Sequence, residues 1–545
     1  MFCPQSSPYF LHSLFSIYHH SKPILSTAIR FLSRGSSKML SDFRSNSPSD
    51  HHHLQPSPKP KSSYHFYNSF QSQIAAHPRF WLLSAFLFIQ LLVVFFTRNS
   101  PLSFSTHAQV PPQTITLPAA ARRGDAVAQP PKDGGGGCEF GRVYVYDLPP
   151  MFNEDLGLKN CTDLHPWIWH CGVNTNEGYG MRAMEMAGIL PGKLAKAWYR
   201  TNQFSSEVIF HHRLLNYRCR TMEPESATVF YIPFYAGQAV GKYLWIDDIE
   251  KRDRLCDMML EWVQNQTYWK KSNGSDHFLT IGRITWDFRR LMDADQKWGS
   301  SLLNLPAMEN VTRFIIERAP WDTSDVGVPY PTGFHPSSVS QLRQWQRFVL
   351  TRNRTSLFTF IGATRADIAG DFRTLLIQYC RNESDACRVV DCAVTQCSNG
   401  SSAIQASFLS SDFCLQPKGD SMTRRSVFDC MIAGSVPVFF WRKTAYAQYQ
   451  WFLPEDPASY SVFIDHDAVR NGTSIRGILE QYSKEDIRKM REKVVEIIPK
   501  LIYSRPKEGL PTVKDAFDIA VETLMKRIKE EKDWNEFVND IEERR

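Results

Sequence analysis

Charged side chains are absent from positions 80 to 97, and only one of the twelve cysteines, Cys3, precedes position 138. Basic residues are in no excess from 138 onward, where the formal charge is −1 against +7 for the whole chain. A near-neutral globular part excludes the electrostatic footprint of a nucleic-acid-binding protein. No C-x-x-C pair occurs, which argues against a structural zinc site. The 545 residues, 43% of them hydrophobic, are too apolar to be mostly disordered and too many for one domain.

The uncharged run FWLLSAFLFIQLLVVFFT predicts a membrane anchor. It lies between Arg79 and Arg98 and is near the lower length limit for spanning a hydrocarbon core. A cleaved signal peptide is the alternative, but its apolar region is shorter and does not follow a 79-residue tail. That tail holds eight Lys and Arg against two Asp and Glu, so the positive-inside rule places it in the cytosol. The anchor, assigned to 80–98, makes the large C-terminal part lumenal.

Glycosylation motifs and cysteines support the same topology. All eight N-x-S/T motifs and eleven of the twelve cysteines follow the anchor, which fits an oxidising lumen. The cluster Cys380, Cys387, Cys392 and Cys397 predicts disulfides rather than metal binding. An odd number of lumenal cysteines leaves at least one thiol free or paired between chains. The motifs are at Asn160, Asn265, Asn273, Asn310, Asn353, Asn382, Asn399 and Asn471.

Alternating strand-like and helical segments predict an α/β fold for the lumenal part. The strand-like runs are short, β-branched and aromatic, and amphipathic segments such as 252–264 and 365–380 lie between them. This alternation implies parallel sheets with helices on both faces, and the length favours two such domains facing each other. The strand-like runs are VYVY (143–146), VFYIPF (229–234), HFLTIG (277–282), SLFTFIG (356–362) and VPVFF (436–440). The predicted parts are a disordered cytoplasmic tail (1–79), a transmembrane signal-anchor (80–98), a flexible stem (99–137), an N-terminal half (138–345), a second half (346–512) and a C-terminal helix that packs back on the structure (513–545).

The densest group of charged and small residues lies in SSDFCLQPKGDSMTRRSVFDCMIAGSVPVFF (410–440). A turn there leads into a helix predicted to begin near Thr423. Three basic side chains around the helix start can offset a diphosphate charge, and an acidic one further on can accept a bond from a ribose hydroxyl. The same spacing fits an ordinary capped helix with an ion pair between the second arginine and the acid. The four residues are Lys418, Arg424, Arg425 and Asp429.

Six further stretches accompany this segment: GRVYVYDLPPMFN (141–153), TNQFSSEVIFHHRL (201–214), VFYIPFYAG (229–237), DHFLTIGRITWDFRR (276–290), PYPTGFHP (329–336) and AYAQYQWFLP (445–454). Together they resemble the exostosin family of glycosyltransferases, from Cys138 to about Phe517. The plant xyloglucan galactosyltransferase branch, the KATAMARI type, is more similar than animal exostosins or xylan synthases.

The resemblance implies a GT-B fold, with two Rossmann-like domains facing a cleft behind a single N-terminal transmembrane helix. The acceptor domain would come first and the UDP-sugar domain second. The implied reaction transfers galactose from UDP-galactose to O2 of xylosyl side chains of xyloglucan, with inversion to a β-1,2 linkage, in the Golgi synthesis of plant cell-wall hemicellulose. The implied protein is a type II Golgi membrane protein that needs no cofactor or metal and meets other Golgi wall-polysaccharide glycosyltransferases. The residues implied to bind the UDP-sugar are Arg365, Lys418, Gly419, Asp420, Ser421, Arg424, Arg425 and Asp429.

Transfer also needs a carboxylate that removes the proton of the acceptor hydroxyl. Asp287 follows a strand-like run and is expected near the cleft, while Glu207 and Asp147 are the other candidates. Each could instead be a structural hydrogen-bond acceptor. Trp286, beside Asp287, is expected to contact the acceptor sugar, although most tryptophans are core residues.

Several alternatives stay open at this point. Asp465-His-Asp467 and Asp293-Ala-Asp295 have the Asp-x-Asp form of a manganese site, although neither lies in the predicted phosphate site. A related transferase could use another UDP-sugar, such as UDP-galacturonic acid, or a mannan acceptor. A non-catalytic scaffold of wall-polysaccharide enzymes is a different class, and a lysosomal hydrolase is weaker still because no persuasive carboxylate pair is present.

Overall fold

The computed structural model of the protein describes residues 137–156, 172–291, 297–365, 368, 370–395, 397 and 401–543. All of them belong to one unit, Val127–Arg545. No helix among these residues is long and apolar enough to cross a bilayer. The predicted tail, anchor and stem lie outside the described residues, apart from residue 137 at the end of the stem. The same is true of Asn160, Asn399, Cys161, Cys171, Asp293 and Asp295.

The first half of the described chain builds a six-stranded sheet. Its strands, in chain order, are β1 (Val143–Val145), β2 (Arg220–Thr221), β3 (Val229–Tyr231), β4 (His277–Ile284), β5 (Thr312–Glu317) and β6 (Asp325–Gly327). Their spatial order is β2-β1-β3-β4-β5-β6, and every pairing is parallel. Strands β3, β5 and β6 are buried along their whole length, as parallel strands covered on both faces should be.

The second half builds a five-stranded sheet that is also wholly parallel. Its strands are β7 (Ser356–Gly362), β8 (Cys387–Asp391), β9 (Ser411–Gln416), β10 (Val436–Phe439) and β11 (Val462–Phe463). The spatial order is β11-β10-β9-β7-β8, so the chain reverses its direction of travel across the sheet between β7 and β9. The predicted α/β architecture with parallel sheets is therefore confirmed.

Helices connect the strands. Several begin with a side-chain cap: Asp371 accepts from Thr374, and Ser483 forms a capping box with Asp486. The α-helices are α1 (Gly192–Ala195), α2 (Ser206–Leu215), α3 (Ala236–Gly241), α4 (Ile249–Gln264), α5 (Thr267–Ser272), α6 (Val339–Thr351), α7 (Phe372–Asn382), α8 (Cys392–Thr395), α9 (Ser401–Leu409), α10 (Ser426–Ile432), α11 (His466–Arg470), α12 (Ile475–Leu479), α13 (Lys484–Ile497) and α14 (Ala516–Glu543). Short 3-10 helices are Pro150–Phe152, Met184–Gly188, Pro224–Ser226, Thr285–Phe288, Leu302–Asn304, Pro306–Met308, Arg442–Thr444, Pro457–Ser459 and Ile498–Leu501.

One hydrophobic core crosses from the first half to the second. Phe428 of α10 packs edge-on to Tyr449, with ring centroids 4.8 Å apart, and Tyr449 donates to the backbone oxygen of Ile316 in β5 at 2.8 Å. The C-terminal helix α14 returns to the first half, where Phe517 lies 5.3 Å from Phe210. The two sheets are thus held in a fixed relation by packed side chains as well as by the chain.

Four disulfides are present among the described residues. They join Cys138 to Cys219, Cys380 to Cys387, Cys392 to Cys397 and Cys414 to Cys430. Cys256 is a buried free thiol. The prediction of disulfides in the Cys380–Cys397 cluster is confirmed.

Candidate active site

The basic loop, residues 417–425, connects β9 to α10. It follows the carboxyl end of β9, next to the carboxyl end of β7, at the point where the strand order reverses. In open parallel sheets this crevice is where ligands bind, because the loops on either side of it diverge. Arg365 follows β7 and donates to the backbone oxygen of Gly419 at 3.3 Å, which brings the two loops together.

Arg424 lies in the basic loop against the carboxyl end of β7. Its Nη2 donates to the backbone oxygen of Ile361 at 2.8 Å, while its Nη1 is buried and has no hydrogen-bond partner among the described residues. Burial, with the neighbouring charges of Arg373 and Arg365, lowers the pKa of Arg424 to about 9. A buried cationic N–H without a partner is costly, and an anionic ligand would remove that cost.

Arg425 and Asp429 form the ion pair that the i, i+4 spacing allows. The Arg425 Nε to Asp429 Oδ2 distance is 3.1 Å, and Arg425 also donates to the backbone oxygen of Thr201 at 2.7 Å, in the first half of the chain. Burial raises the pKa of Asp429. Its second oxygen, Oδ1, is buried and lacks a partner within the described part of the chain. The ion pair therefore leaves one acceptor atom of Asp429 without a hydrogen bond among these residues.

The other predicted ligands lie along the same loop. The Lys418 ammonium is 5.1 Å from the ring centre of Trp441, and Asp420 is exposed and pairs with Arg365 and Arg373. Gly419 is required by packing, because a Cβ there would lie 2.0 Å from the backbone oxygen of Thr423. The structure thus brings all eight predicted UDP-sugar residues to one crevice, and their role as ligands stays a prediction.

Glu317 is a member of the site that the sequence reasoning missed. It ends β5, is fully buried, and accepts the backbone N–H groups of Met422 and Thr423 at 3.1 and 3.0 Å. Burial raises its pKa to about 7. These two N–H groups are therefore occupied, and α10 begins at Ser426 rather than near Thr423. A carboxylate directly after the short apolar run FII (314–316) was the available sequence signal, similar to the one that pointed to Asp287.

Asp287 lies in the 3-10 helix Thr285–Phe288 that follows β4. Both of its oxygens are engaged: Arg283 Nε donates to Oδ2 at 2.7 Å and Trp298 Nε1 donates to Oδ1 at 3.0 Å. The residue is only 2% exposed. Its neighbour Trp286 is 40% exposed. Asp147, the third candidate base, is exposed after β1.

Glu207, in the first turn of α2, is fully buried. Its Oε1 accepts the backbone N–H groups of Gly237 and Gly282, whereas Oε2 is buried without a partner among the residues described. Burial raises the pKa of Glu207 to about 8. Gly237 cannot carry a side chain, because a Cβ would lie 2.8 Å from Oε1. At neutral pH the carboxyl group is therefore mostly protonated.

Asp465, His466 and Asp467 offer three potential metal ligands within 4.8 Å of one another. Asp465 also caps α11, accepting from the backbone N–H of Asp467 at 2.9 Å. The His466 ring lies 4.4 Å from Trp441, whose ring also meets Lys418 of the basic loop. The cluster is closer to the predicted phosphate site than the sequence indicated, but both carboxylates are exposed and bonded locally.

Six of the predicted glycosylation motifs fall on described residues, and all six asparagines are exposed. They are Asn265, Asn273, Asn310, Asn353, Asn382 and Asn471. Each is accessible to a modifying enzyme, and occupancy stays a prediction.

Parallel α/β sheets with a basic loop at a reversal of strand order are typical of nucleotide-binding proteins, and comparison with known proteins gives the family. The exostosin GT47 domain matches residues 137–479. The chain belongs to the exostosin GT47 family.

Relatives from Arabidopsis thaliana are similar over about 400 residues of this chain. Xyloglucan galactosyltransferase XLT2 is 58% identical over 399 residues, which cover 73% of this chain and 77% of that protein. Xyloglucan galactosyltransferase MUR3 is 42% identical over 394 residues, 72% of this chain and 63% of that protein. Xyloglucan-specific galacturonosyltransferase 1 is 39% identical over 398 residues, 72% of this chain and 58% of that protein. A solved structure, the GtfA/B complex, aligns with a TM-score of 0.26 and 11% identity over 51% of this chain and 61% of that chain, too little to argue from.

Proposed function

We propose that the protein transfers galactose from UDP-galactose to O2 of xylosyl side chains of xyloglucan, with inversion to a β-1,2 linkage. The main support for a UDP-sugar site is a pair of buried atoms, Arg424 Nη1 and Asp429 Oδ1, that lack hydrogen-bond partners among the described residues. The choice of sugar and acceptor is supported by the 58% identity to a xyloglucan galactosyltransferase.

In this proposal the two halves act as the domains of a GT-B enzyme. The second half binds the UDP-sugar at the basic loop, where Lys418, Arg424, Arg425 and Arg365 offset the charge that develops on the departing diphosphate. The pair Arg425–Asp429 then offers its open oxygen to the ribose. Such positive charge needs no metal to stabilise the leaving group, so we expect transfer without one.

The acceptor hydroxyl would lose its proton to a carboxylate of the first half. Asp287 is the first candidate because it follows the carboxyl end of β4. There Ile284 pairs with Glu317 of β5, and Glu317 contacts the basic loop. Glu207 is the second candidate, although its raised pKa means that it must first lose its own proton. Trp286, exposed beside Asp287, would contact the acceptor sugar.

We further propose that the chain is a type II Golgi membrane protein anchored by 80–98, with its enzymatic part in the lumen. The disulfides and the exposed sequons support a secretory compartment. Other wall-polysaccharide glycosyltransferases are the expected neighbours. UDP-galacturonic acid is a second candidate donor, since one relative at 39% identity is named a galacturonosyltransferase.

The test incubates the full-length protein with a xyloglucan or a mannan oligosaccharide and either UDP-galactose or UDP-galacturonic acid, with and without EDTA, followed by mass and linkage analysis. UDP binding is measured separately as protection against thermal unfolding. A new β-1,2-galactose in the presence of EDTA is the expected product. Transfer only from the other donor would reassign the sugar, transfer only to mannan would reassign the acceptor, and loss of transfer in EDTA would contradict metal independence. No transfer and no UDP binding would favour the scaffold class.

A further inference from the structure

Trp286 precedes Asp287 in the chain, Trp298 donates to Asp287, and Trp245 packs against Trp298; these three tryptophans are here called the aromatic platform. Trp245 is 56% exposed and Trp286 40% exposed. The rings of Trp245 and Trp298 meet edge to face, with centroids 4.9 Å apart and planes at 83°. Large aromatic side chains that are exposed next to one another commonly mark a binding surface.

The platform is held by a buried arginine. Arg252 of α4 is 2% exposed and donates to backbone oxygens on both loops that carry the paired tryptophans. It donates to the backbone oxygens of Tyr243, at 3.1 Å, and Ile246, which flank Trp245 in the chain. It also donates to those of Lys297 and Gly299, the latter at 3.2 Å, which flank Trp298. One guanidinium group thus fixes the two loops relative to each other. An exposed pair fixed in this way loses little conformational entropy when a ligand stacks on it.

The platform is also joined to the carboxyl end of the first sheet, where Glu317 contacts the basic loop. The indole N–H of Trp298 donates to Asp287 at 3.0 Å, so this polar end is occupied and the ring presents carbon to solvent. Asp287 lies three residues beyond Ile284, which pairs with Glu317, the carboxylate that holds Met422 and Thr423. The platform is therefore connected to the basic loop through Asp287, Ile284 and Glu317.

We propose that the aromatic platform binds the β-glucan backbone of the acceptor, with the apolar faces of its pyranose rings against Trp245 and Trp298. The inference rests on the proposed function and deepens it by assigning the acceptor surface. A neutral polysaccharide suits this surface, because the charges of Lys297 and Asp247 beside it compensate each other in an ion pair at 3.0 Å. Asp287 acts here as a positioning residue for Trp298, whatever further part it takes in proton transfer.

The test measures binding without chemistry. Full-length wild type, Trp245→Ala, and Trp245→Ala combined with Trp298→Phe are titrated with a xyloglucan oligosaccharide and with a cello-oligosaccharide, in the absence of donor. Trp534→Ala is the matched control, since Trp534 is 64% exposed on α14 and its ring meets Phe537 of the same helix. We expect each platform variant to bind about tenfold more weakly or worse, a loss of ~1.4 kcal/mol, while Trp534→Ala binds as wild type does.

Thermal protection by UDP separates loss of the platform from loss of the fold. A platform variant that keeps UDP protection but loses glucan binding supports the inference. Unchanged glucan affinity in the double variant, equal loss in Trp534→Ala, or no glucan binding by wild type would overturn it. Trp245→Ala alone keeps the test decisive if the double variant fails to fold, because this ring is mostly in solvent. Glucan binding without any galactose transfer would refute the proposed function and leave the platform standing.

Discussion

Replacing Glu317 by glutamine should abolish a pH dependence of stability that the structure assigns to this one carboxyl group. Glu317 is fully buried and accepts two backbone N–H groups of the basic loop. Burial raises its pKa from an ordinary 4.5 to about 7. Glutamine keeps a carbonyl oxygen at the same position but cannot ionise.

The sign of this pH dependence is set by whether the folded or the unfolded state binds the proton of Glu317 more tightly. With a folded pKa above the unfolded one, the folded protein binds the proton more strongly, so this stability is fully present below about pH 4.5 and is lost as the pH rises toward 7. One pKa unit is worth 1.36 kcal/mol. The difference between 4.5 and about 7 therefore corresponds to about 3 kcal/mol of unfolding free energy.

Urea unfolding of wild type and Glu317→Gln between pH 4.5 and 8 measures this quantity as a difference. We expect the wild type to lose about 3 kcal/mol relative to the variant across that interval. A constant offset of roughly 1–3 kcal/mol from the altered hydrogen bond is superimposed and does not vary with pH. Glu496→Gln, on the exposed side of α13, should give a nearly flat difference. A difference between wild type and Glu317→Gln that does not change with pH would refute the reasoning.

Three further substitutions test other parts of the structure. Arg424→Ala should remove the protection that UDP gives against thermal unfolding, which at a hundredfold excess over Kd is about 2.7 kcal/mol; the exposed Arg488→Ala should keep it, and protection retained by Arg424→Ala would place the diphosphate elsewhere. Glu207→Gln should keep kcat within about tenfold at pH 7, because a carboxyl group with a pKa near 8 is already mostly protonated and resembles the amide. The assay is the pH–rate profile of both proteins, and a loss of kcat of about a hundredfold or more would instead make Glu207 the base. Arg213→Met should lower stability by about 3–5 kcal/mol in denaturant titrations, since it leaves Asp515 buried and without its 2.7 Å ion pair; a loss below about 1 kcal/mol would show that the pair matters little.

The strands that the sequence revealed are those with apolar runs long enough to be recognised locally. HFLTIG and SLFTFIG became β4 and β7, whereas β5 and β9 went unrecognised. Strand β5 begins with Thr312 and Arg313, and β9 with Ser411 and Asp412, which look like solvent-facing positions. Arg313 is in fact 1% exposed because Asp325 accepts its Nε at 2.9 Å. A partner twelve residues away in sequence decides its burial, and no local pattern shows it.

The same limit applies to the site. The basic loop could be found from its residue types and its resemblance to a family, since those residues are close in sequence. Glu317 acts on Met422 and Thr423 from more than a hundred positions away, and α10 begins at Ser426, beyond both residues. The bond between Asp287 and Trp298 likewise depends on how two loops fold together. Site residues within one segment could therefore be predicted from the sequence, whereas contacts between distant segments could not.

The bridge between Cys414 and Cys430 has a consequence for how the protein must be made. It joins β9 to α10 across 16 residues, and the whole basic loop lies inside the ring that it closes. Closing a ring of this size removes about 3 kcal/mol of chain entropy from the unfolded state. A chain produced in a reducing cytosol begins folding with that ring open, so the crevice must be ordered by packing alone. The expression host and its redox conditions therefore affect nucleotide binding as directly as a substitution in the basic loop does.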